Sequence, residues 1–320
     1  MGQEERQPQR GELADPPRGP SAGRGGVAPA AASAGDDRVV ARVGGQPVYA
    51  AEVEQQLRQV LGDAPLDPAQ RPALWEAARQ KLIDRQLVLL ALTEAGLAAS
   101  KADVDLALAR FEKQLQALNR TLADHCAAVG LSVEQVRRAL AWSLSWQRYC
   151  ERYLTPENLE KYFQQHRRQF DGTELRVAQI FWKLPPESDP AARKAARKAA
   201  LAQAQEVRAA ILAGRQSFAD AARQHSQAPS RSDGGDIGWI ERHRPMSEPF
   251  SQAAFRLKVG EVSEPVETPL GLHLITVLEE KPGQRTWQEA EAELREAVAV
   301  YLFRWLADRQ RPKVRIEESP

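Results

Sequence analysis

The chain has 320 residues, of which 42% are hydrophobic and 27% are charged, a composition typical of globular proteins and a length sufficient for two modest domains. Its formal net charge is only +1, so no strong field attracts nucleic acid or an anionic membrane, and nucleic acid is not an expected partner. The longest apolar runs, LVLLAL at 87–92 and AVAVYLF at 297–303, fall far short of the roughly 18 residues of a membrane helix, so no integral membrane segment is expected.

The first 38 residues are rich in glycine and proline and poor in large apolar side chains. Such a segment cannot bury enough apolar surface to fold, and we predict a disordered tail over 1–38. It also lacks a basic start followed by an apolar core, so the sequence as written shows no signal peptide.

The two cysteines, Cys126 and Cys150, are too far apart in sequence for a Cys-x-x-Cys motif. A zinc knuckle and a thioredoxin-like redox motif are therefore excluded. Two separate helix cysteines are favoured over a disulfide.

Residues 39–154 are predicted to form a mainly helical module. A short β-like run leads to a turn at Gly44 and Gly45, and apolar residues at helical spacing follow. Ser100 begins one further helix through a capping-box pattern, and Ser132 begins another.

Residues 155–173 are predicted to be a connecting helix and linker, because Thr155 and Pro156 are an N-cap followed by the favoured proline position. A second domain is predicted at 174–281, where strand-like and helix-like segments follow in the order β-α-α-β-α-β. This order predicts an α+β fold, a small sheet surrounded by helices. In the last segment, 282–320, Thr286 and Glu289 match a capping box that would begin a helix ending near Arg309.

The stretch HSQAPSRSDGGDIGWI, at 225–240, places Gly234 and Gly235 side by side before an apolar run. Adjacent glycines can form a phosphate cradle, a flexible linker, or a tight backbone passage beside a ligand. A phosphate loop has wider glycine spacing and a following Lys-Ser or Lys-Thr, which this stretch lacks. A nucleotide site is therefore disfavoured.

Four phrases, GGDIGW, PFSQAAF, LKVGEVSEPVET and GLHLITV, occur in this order over about 60 residues within 218–280. In this order and spacing they resemble the parvulin-type peptidyl-prolyl cis-trans isomerases. The segments RVVARVGGQPVYAAEVEQQL and KLIDRQLVLLALTEAGL look like the N-terminal chaperone region of SurA-like foldases. By analogy with those foldases, the C-terminal helix is expected to pack on the helical module.

The resemblance implies rotation about X-Pro bonds, a reaction with a barrier of about 20 kcal/mol because planarity carries the amide resonance. Such an enzyme holds the proline ring in an apolar slot, excludes water and steadies the twisted amide with a few hydrogen bonds. It needs neither a nucleophile nor a metal, and no cofactor is expected. The implied proline slot consists of Ile237, Met246 and Phe250; one extra residue before Met246 separates this chain from the commonest family spacing.

The polar floor of the family's site is usually two histidines, a cysteine or aspartate, and a threonine or serine. The resemblance assigns His273 to the second histidine and Thr268 to the hydroxyl. Gln179 stands where the first histidine is usual, and Ala228 where the thiol or carboxylate is usual. Glutamine can still donate and accept hydrogen bonds, whereas alanine cannot, so this chain has a partly degenerate site.

Two other histidines of the domain have ordinary explanations. His225 ends a predicted helix, where it complements the helix dipole, and His243 lies in a basic loop and is expected to be solvated. The loop KLPPESDP, at 183–190, is acidic, which argues against a preference for phosphorylated Ser-Pro or Thr-Pro targets.

Two functional hypotheses follow. The first is a parvulin-type isomerase that acts as a folding factor on unfolded, proline-containing polypeptide clients. The second is a non-catalytic holdase with a degenerate peptide-binding groove, for which Gln179 and Ala228 are the sequence support. The resemblance suggests the periplasm or cell envelope as the location, while no export signal is visible in the sequence.

Overall fold

The structure, a computed structural model, describes residues 37–62, 68, 70–185 and 190–319. The predicted tail at 1–38 lies almost wholly outside the described residues, as do residues 186–189 of the acidic loop at 183–190. Among the described helices, none combines the length and the apolar character that a bilayer-spanning segment requires.

The N-terminal module begins with a β-hairpin and continues with helices. The hairpin turns at Gly44 and Gly45, both with positive φ, and its second strand was not predicted. The elements are β1 (Val39–Val43), β2 (Gln46–Tyr49), α1 (Ala50–Leu61), α2 (Arg71–Glu94), α3 (Lys101–Ala117), α4 (Leu122–Val129) and α5 (Val133–Tyr153).

Side-chain caps fix where these helices start. Ser100 and Ser132 cap α3 and α5 in the reciprocal hydrogen bonds of a capping box, as predicted. Thr121 does the same for α4 with Asp124, a signal present in the sequence that the prediction did not use. Cys126 and Cys150 lie on α4 and α5, and both are free thiols.

The connecting helix α6 (Pro156–Phe170) starts at the predicted Thr155 cap. His166 itself has a non-helical backbone conformation, so α6 is kinked there. Beyond the kink, Arg168 donates hydrogen bonds to the carbonyl oxygens of Phe255 (3.2 Å) and Leu257 and pairs with Glu280 at 2.8 Å. The end of α6 is thereby attached to the sheet domain that follows.

The sheet domain confirms the predicted α+β class. It comprises β3 (Glu174–Lys183), α7 (Pro190–Leu212), α8 (Phe218–His225), β4 (Asp236–Ile240), α9 (Glu248–Ala254), β5 (Val266–Thr268) and β6 (Gly271–Lys281). The strands form one antiparallel sheet in the order β4-β3-β6-β5. The short β5 was not predicted, because three residues carry too little periodicity to reveal a strand.

The two faces of this sheet have different neighbours. Ile180 and Trp182 of β3 pack with Leu272 and Leu274 of β6 against α7 and α8. The alternate residues of the same strands face α9, where Phe250 is central to a second apolar cluster. Since successive strand residues point to opposite faces, this pattern assigns every other residue of β3 and β6 to the α9 side.

The C-terminal segment returns to the N-terminal module. It forms α10 (Glu291–Gln310) and β7 (Ile316–Glu318), and β7 pairs with β1 to complete a three-stranded sheet, β2-β1-β7. Leu306 and Ala307 of α10 share a buried cluster with Ile83 and Leu87 of α2. The domain limits proposed above remain predictions, but this packing joins both ends of the described chain.

The capping box at Thr286 and Glu289 forms its hydrogen bonds, with Thr286 N donating to Glu289 Oε2 at 2.7 Å. Even so, α10 begins only at Glu291, and residues 287–290 form a turn. The predicted start was therefore wrong by several residues, since the box closes a turn before the helix proper.

Candidate functional site

Alternation along β3 and β6 brings the predicted polar residues to the α9 face of the sheet. Gln179 precedes Phe181 by two residues, and both are partly exposed on that face. Phe181 lies directly opposite His273 in the antiparallel register, and Val266 on β5 also pairs with His273. The last residue of β5, Thr268, is therefore close to the imidazole.

His273 is held at both ring nitrogens. Its Nδ1 lies 2.9 Å from Gln179 Oε1, and its Nε2 lies 2.8 Å from Thr268 Oγ1. The Thr268 hydroxyl also lies 3.3 Å from the Gly271 carbonyl oxygen and accepts a hydrogen bond from Leu270 N at 3.3 Å. The structure thus brings together three of the four predicted polar positions.

One proton arrangement satisfies this network. An amide oxygen can only accept, so His273 Nδ1–H donates to Gln179 and Nε2 carries the lone pair. The Thr268 hydroxyl then donates to Nε2, its shorter contact, rather than to the Gly271 carbonyl. In this arrangement the imidazole is neutral, and Gln179 Nε2 has no hydrogen-bond partner among the described residues.

Burial reinforces that neutrality. His273 is 4% exposed, and the loss of hydration lowers its pKa to about 4. Its ring packs against Phe181 at a centroid distance of 4.8 Å and meets Phe250 edge-on at 5.4 Å. The histidine is therefore a fixed, uncharged member of the site at neutral pH.

The predicted slot residues belong to one apolar cluster. Phe250 is fully buried, whereas Ile237 and Met246 are partly exposed at the edge of the same cluster. Phe250 links this cluster to the polar network because it touches the His273 ring. The geometry therefore offers an apolar surface beside a neutral imidazole, and the roles of these residues stay predictions.

The loop that carries Met246 is anchored by an ion pair. The guanidinium of Arg242, 8% exposed, donates to both carboxylate oxygens of Glu248 at 2.6 and 2.7 Å. A bidentate pair of this kind fixes orientation as well as distance. His243, next in the loop, is exposed as expected.

The paired glycines lie where the backbone of β3 is closest. A Cβ at Gly235, where φ is +86°, would lie 2.4 Å from the Gln179 carbonyl oxygen, and one at Gly234 would lie 2.8 Å from Ala219 Cβ. Gln179 N donates to the Gly235 carbonyl oxygen at 2.8 Å. Of the three interpretations weighed above, the tight backbone passage agrees with this geometry, and it fixes the strand that carries Gln179.

Ala228 is buried, at 6% exposure, and its methyl group offers no hydrogen bond. Ser226, which sequence reasoning did not single out, accepts hydrogen bonds from Phe181 N at 3.1 Å and Ala228 N at 3.2 Å. His225 lies in the last turn of α8, as predicted. Phe181 was also missed, although its position two residues after Gln179 could have indicated it.

Two family models match different parts of the chain. The family model described as the PPIC-type PPIase domain (Rotamase) matches residues 180–279, and the SurA-like N-terminal domain model matches residues 24–149. Within the described residues, no group of three His, Cys, Asp or Glu side chains is arranged to hold a metal ion.

Three curated relatives illustrate the likeness. The peptidyl-prolyl cis-trans isomerase Pin1 of Digitalis lanata is 42% identical over 94 residues, which cover 29% of this chain and 77% of that protein. The foldase protein PrsA of Bacillus subtilis is 50% identical over 64 residues, covering 20% of this chain and 22% of PrsA. The chaperone SurA of Alkalilimnicola ehrlichii is 28% identical over 263 residues, covering 77% of this chain and 57% of SurA.

Thus the chain spans only part of the PrsA and SurA proteins it matches. Among solved structures, a crystal structure of peptidylprolyl isomerase PrsA from Bacillus anthracis is 20% identical, with a TM-score of 0.38, and covers 72% of this chain and 96% of that one. Most of the Pin1 relative, 77% of its length, is matched at 42% identity, and the rotamase model matches residues 180–279. The chain therefore belongs to the PpiC-type, or parvulin, rotamase family of folding factors and carries a SurA-like N-terminal domain.

Proposed function

We propose that the chain is an active peptidyl-prolyl cis-trans isomerase that acts on X-Pro bonds of unfolded polypeptides. The observation that carries the proposal is the neutral imidazole of His273, held between Gln179 and Thr268 beside the apolar Ile237, Met246 and Phe250. Neutral hydrogen-bonding groups beside an apolar slot suit a reaction in which no proton is transferred to or from the substrate.

The slot lowers the barrier by differential stabilisation. The planar amide is more dipolar than the twisted one, so withdrawing it from water raises the energy of the planar form relative to the transition state. Ile237 and Met246, both partly exposed, are the side chains that a proline ring can cover from solvent. Each 1.36 kcal/mol gained in this way corresponds to about tenfold in rate.

In this proposal, Gln179 donates the hydrogen bond that stabilises the twisted X-Pro amide. Its Oε1 is engaged with His273, while its amide nitrogen has no partner among the described residues and the side chain is partly exposed. In the twisted state the proline nitrogen regains its lone pair, which is an acceptor for such an N–H group. His273 and Thr268 then act as positioning residues, because they set the direction in which the Gln179 amide points.

The decisive measurement is NMR exchange spectroscopy on a short Ala-Pro peptide with the full chain. Acceleration over the uncatalysed rate is expected, and Gln179→Leu should lower it about tenfold by removing one hydrogen bond to the transition state. Gln224→Leu is the matched control, because Gln224 lies on α8, away from His273, and its side chain accepts a hydrogen bond from the side chain of Gln216. Absence of acceleration by the unaltered protein contradicts the proposal.

The holdase is the second candidate, and Ala228 favours it, since a buried methyl group stands where the family usually has a hydrogen-bonding side chain. It predicts that suppression of client aggregation survives His273→Ala and that the unaltered protein does not accelerate Ala-Pro exchange. If the thiol is the missing element, Ala228→Cys should instead raise the exchange rate. Lack of affinity for unfolded polypeptide would exclude the holdase.

A further inference from the structure

The ring of Phe181 is an aromatic surface in the site that has no role in the proposed reaction. Phe181 is partly exposed on the α9 face of β3, two residues after Gln179. Its ring packs against the His273 imidazole, with the centroids 4.8 Å apart and the planes inclined by 30°. A large apolar ring beside a neutral histidine is a binding surface for an uncharged side chain.

The backbone holds this ring in a defined place. Phe181 N donates to Ser226 Oγ at 3.1 Å, and the Phe181 carbonyl oxygen accepts from Gln227 N at 2.7 Å. Both polar groups therefore point away from β6, so Phe181 and His273 are a non-hydrogen-bonded antiparallel pair, whose side chains lie especially close together. A Cβ at Gly271 would lie 2.7 Å from Phe181 Cε2, so the ring also lies on the backbone of β6.

His273 connects the Phe181 ring to the proposed proline slot. The imidazole centroid lies 5.4 Å from that of Phe250 as well as 4.8 Å from that of Phe181. The two phenylalanine rings are therefore no more than about 10 Å apart, centroid to centroid. Successive Cα atoms of a peptide are about 3.8 Å apart, so the side chain of a residue next to a proline in the slot is long enough to reach Phe181.

The order of residues along β3 indicates which neighbour of the proline meets Phe181. Asp236 pairs with Ala178, and the slot residue Ile237 follows Asp236. The slot therefore borders one side of Gln179, while Phe181 lies on the other side, about 7 Å along the strand. In the proposed reaction the Gln179 amide donates to the proline nitrogen, to which the preceding residue, X, is bonded. With the proline ring in the slot, X is directed toward Phe181.

We propose that Phe181 is a specificity-determining residue, which contacts the side chain of X and favours an aromatic X over a small one. The inference rests on the proposed function, since the slot and Gln179 place the proline. Offset-stacked and edge-to-face aromatic pairs are favourable beyond the apolar area that they bury. The preferred substrates are therefore unfolded segments that contain Phe-Pro or Tyr-Pro.

The test is NMR exchange spectroscopy with the full chain on the peptides Ala-Phe-Pro-Ala, Ala-Ala-Pro-Ala and Ala-Ala-Pro-Phe. Catalysed exchange of the first should be about fivefold faster than that of the second, and the third should match the second. Phe181→Leu, which keeps an apolar side chain on the sheet, should reduce this fivefold ratio to about two, and Phe181→Ala should reduce it to about one. Partial unfolding lowers all the rates together, so the ratio separates a specificity role from a structural one.

Two controls accompany the Phe181 variants. Met246→Ala, in the proposed slot, should slow the exchange of every peptide and leave the ratio at about five, because the slot contacts the proline that all the peptides share. Phe111→Leu alters a partly buried phenylalanine of α3 and should change neither the rates nor the ratio.

An unchanged ratio in Phe181→Ala would overturn the inference and leave the proposed isomerase intact. So would faster exchange of Ala-Ala-Pro-Phe than of Ala-Phe-Pro-Ala, since Phe181 would then contact the residue after the proline. If the unaltered chain accelerates no peptide, the proposed function fails, and peptide titrations on the same samples decide the inference. Tighter binding of Ala-Phe-Pro-Ala that is lost in Phe181→Ala supports it, and equal binding overturns it.

Discussion

The sheet domain and the N-terminal module are built from the chain in opposite ways. All four strands of the sheet that carries His273 lie within Glu174–Lys281. The module, in contrast, needs α10 and β7, which follow the sheet domain in sequence, to complete its core and its small sheet. The difference teaches that the site is formed within one continuous segment of the chain, whereas the module needs segments from both sides of the sheet domain.

The largest loss of stability is expected from a substitution in the core of the N-terminal module. Ile83 is fully buried in the cluster that α2 and α10 share, and Ile83→Ala should lower the free energy of unfolding by about 4 kcal/mol through lost burial and a cavity. Urea unfolding followed by circular dichroism measures the change. Leu106→Ala, at a residue 54% exposed, is the control and should change stability by less than about 0.5 kcal/mol.

If the two regions are energetically separate, folded Ile83→Ala protein should still accelerate exchange of a short Ala-Pro peptide at the unaltered rate. A parallel loss of exchange activity, measured where the variant is still folded, would show that the module supports the site directly.

The next largest loss of stability is expected where the backbone at Gly235 packs closely against the strand that carries Gln179. Gly235→Ala should cost about 3 kcal/mol or more, because a positive φ is combined with a Cβ that meets the Gln179 carbonyl oxygen at 2.4 Å. Gly238 also has a positive φ, +79°, but an added Cβ would have no neighbour within 4 Å. Gly238→Ala should therefore cost only about 1 kcal/mol. Thermal unfolding of both variants gives the comparison, and equal losses would mean that the close approach is unimportant.

Acid should weaken the sheet domain through His273. The folded-state pKa of about 4 lies below the unfolded value near 6.5, so the unfolded state binds the proton first as the pH falls. Stability from this group is complete above about pH 6.5 and decreases toward pH 4, by up to about 3 kcal/mol. Urea unfolding at several pH values gives the free energy of unfolding at each pH. Between about pH 6.5 and pH 4 this free energy should decrease less for His273→Gln than for the unaltered chain. The same pH dependence in both proteins would refute the assignment.

The smallest effect concerns the connection between the two regions. Arg168→Met removes hydrogen bonds to two carbonyl oxygens and an ion pair with Glu280, and should cost about 1.5 kcal/mol. Arg197→Met, which breaks an exposed pair with Glu267, should cost less than about 0.5 kcal/mol. Differential scanning calorimetry can show whether the Arg168 variant unfolds in two steps instead of one. If both variants lose the same stability, Arg168 is not a specific link.

Sequence patterns predicted the longer elements well. The alternation in β3 and the caps at Ser100, Ser132 and Thr155 are local, so they are visible without the fold. The strands β2, β5 and β7 are four residues or fewer, and their identity depends on partners elsewhere in the chain. No local pattern could reveal those partners.

The site was predictable to the extent that it repeats a family pattern. His273, Thr268 and Gln179 were each identified from motif position, and they are joined by hydrogen bonds. Ser226 was not found, because its hydroxyl acts on the backbone of β3, and a serine in a polar loop carries no sign of such a contact.

The pairing of β7 with β1 has a consequence for synthesis. A ribosome makes the chain from its N-terminus, and domains generally fold as units once their residues have emerged. The sheet domain has all its strands by Lys281, before α10 and β7 have been translated. Until then the edge of β1 that later pairs with β7 is open, and the apolar face of α2 that packs on α10 is uncovered. The region that resembles a chaperone is thus the last part of its own chain to be completed.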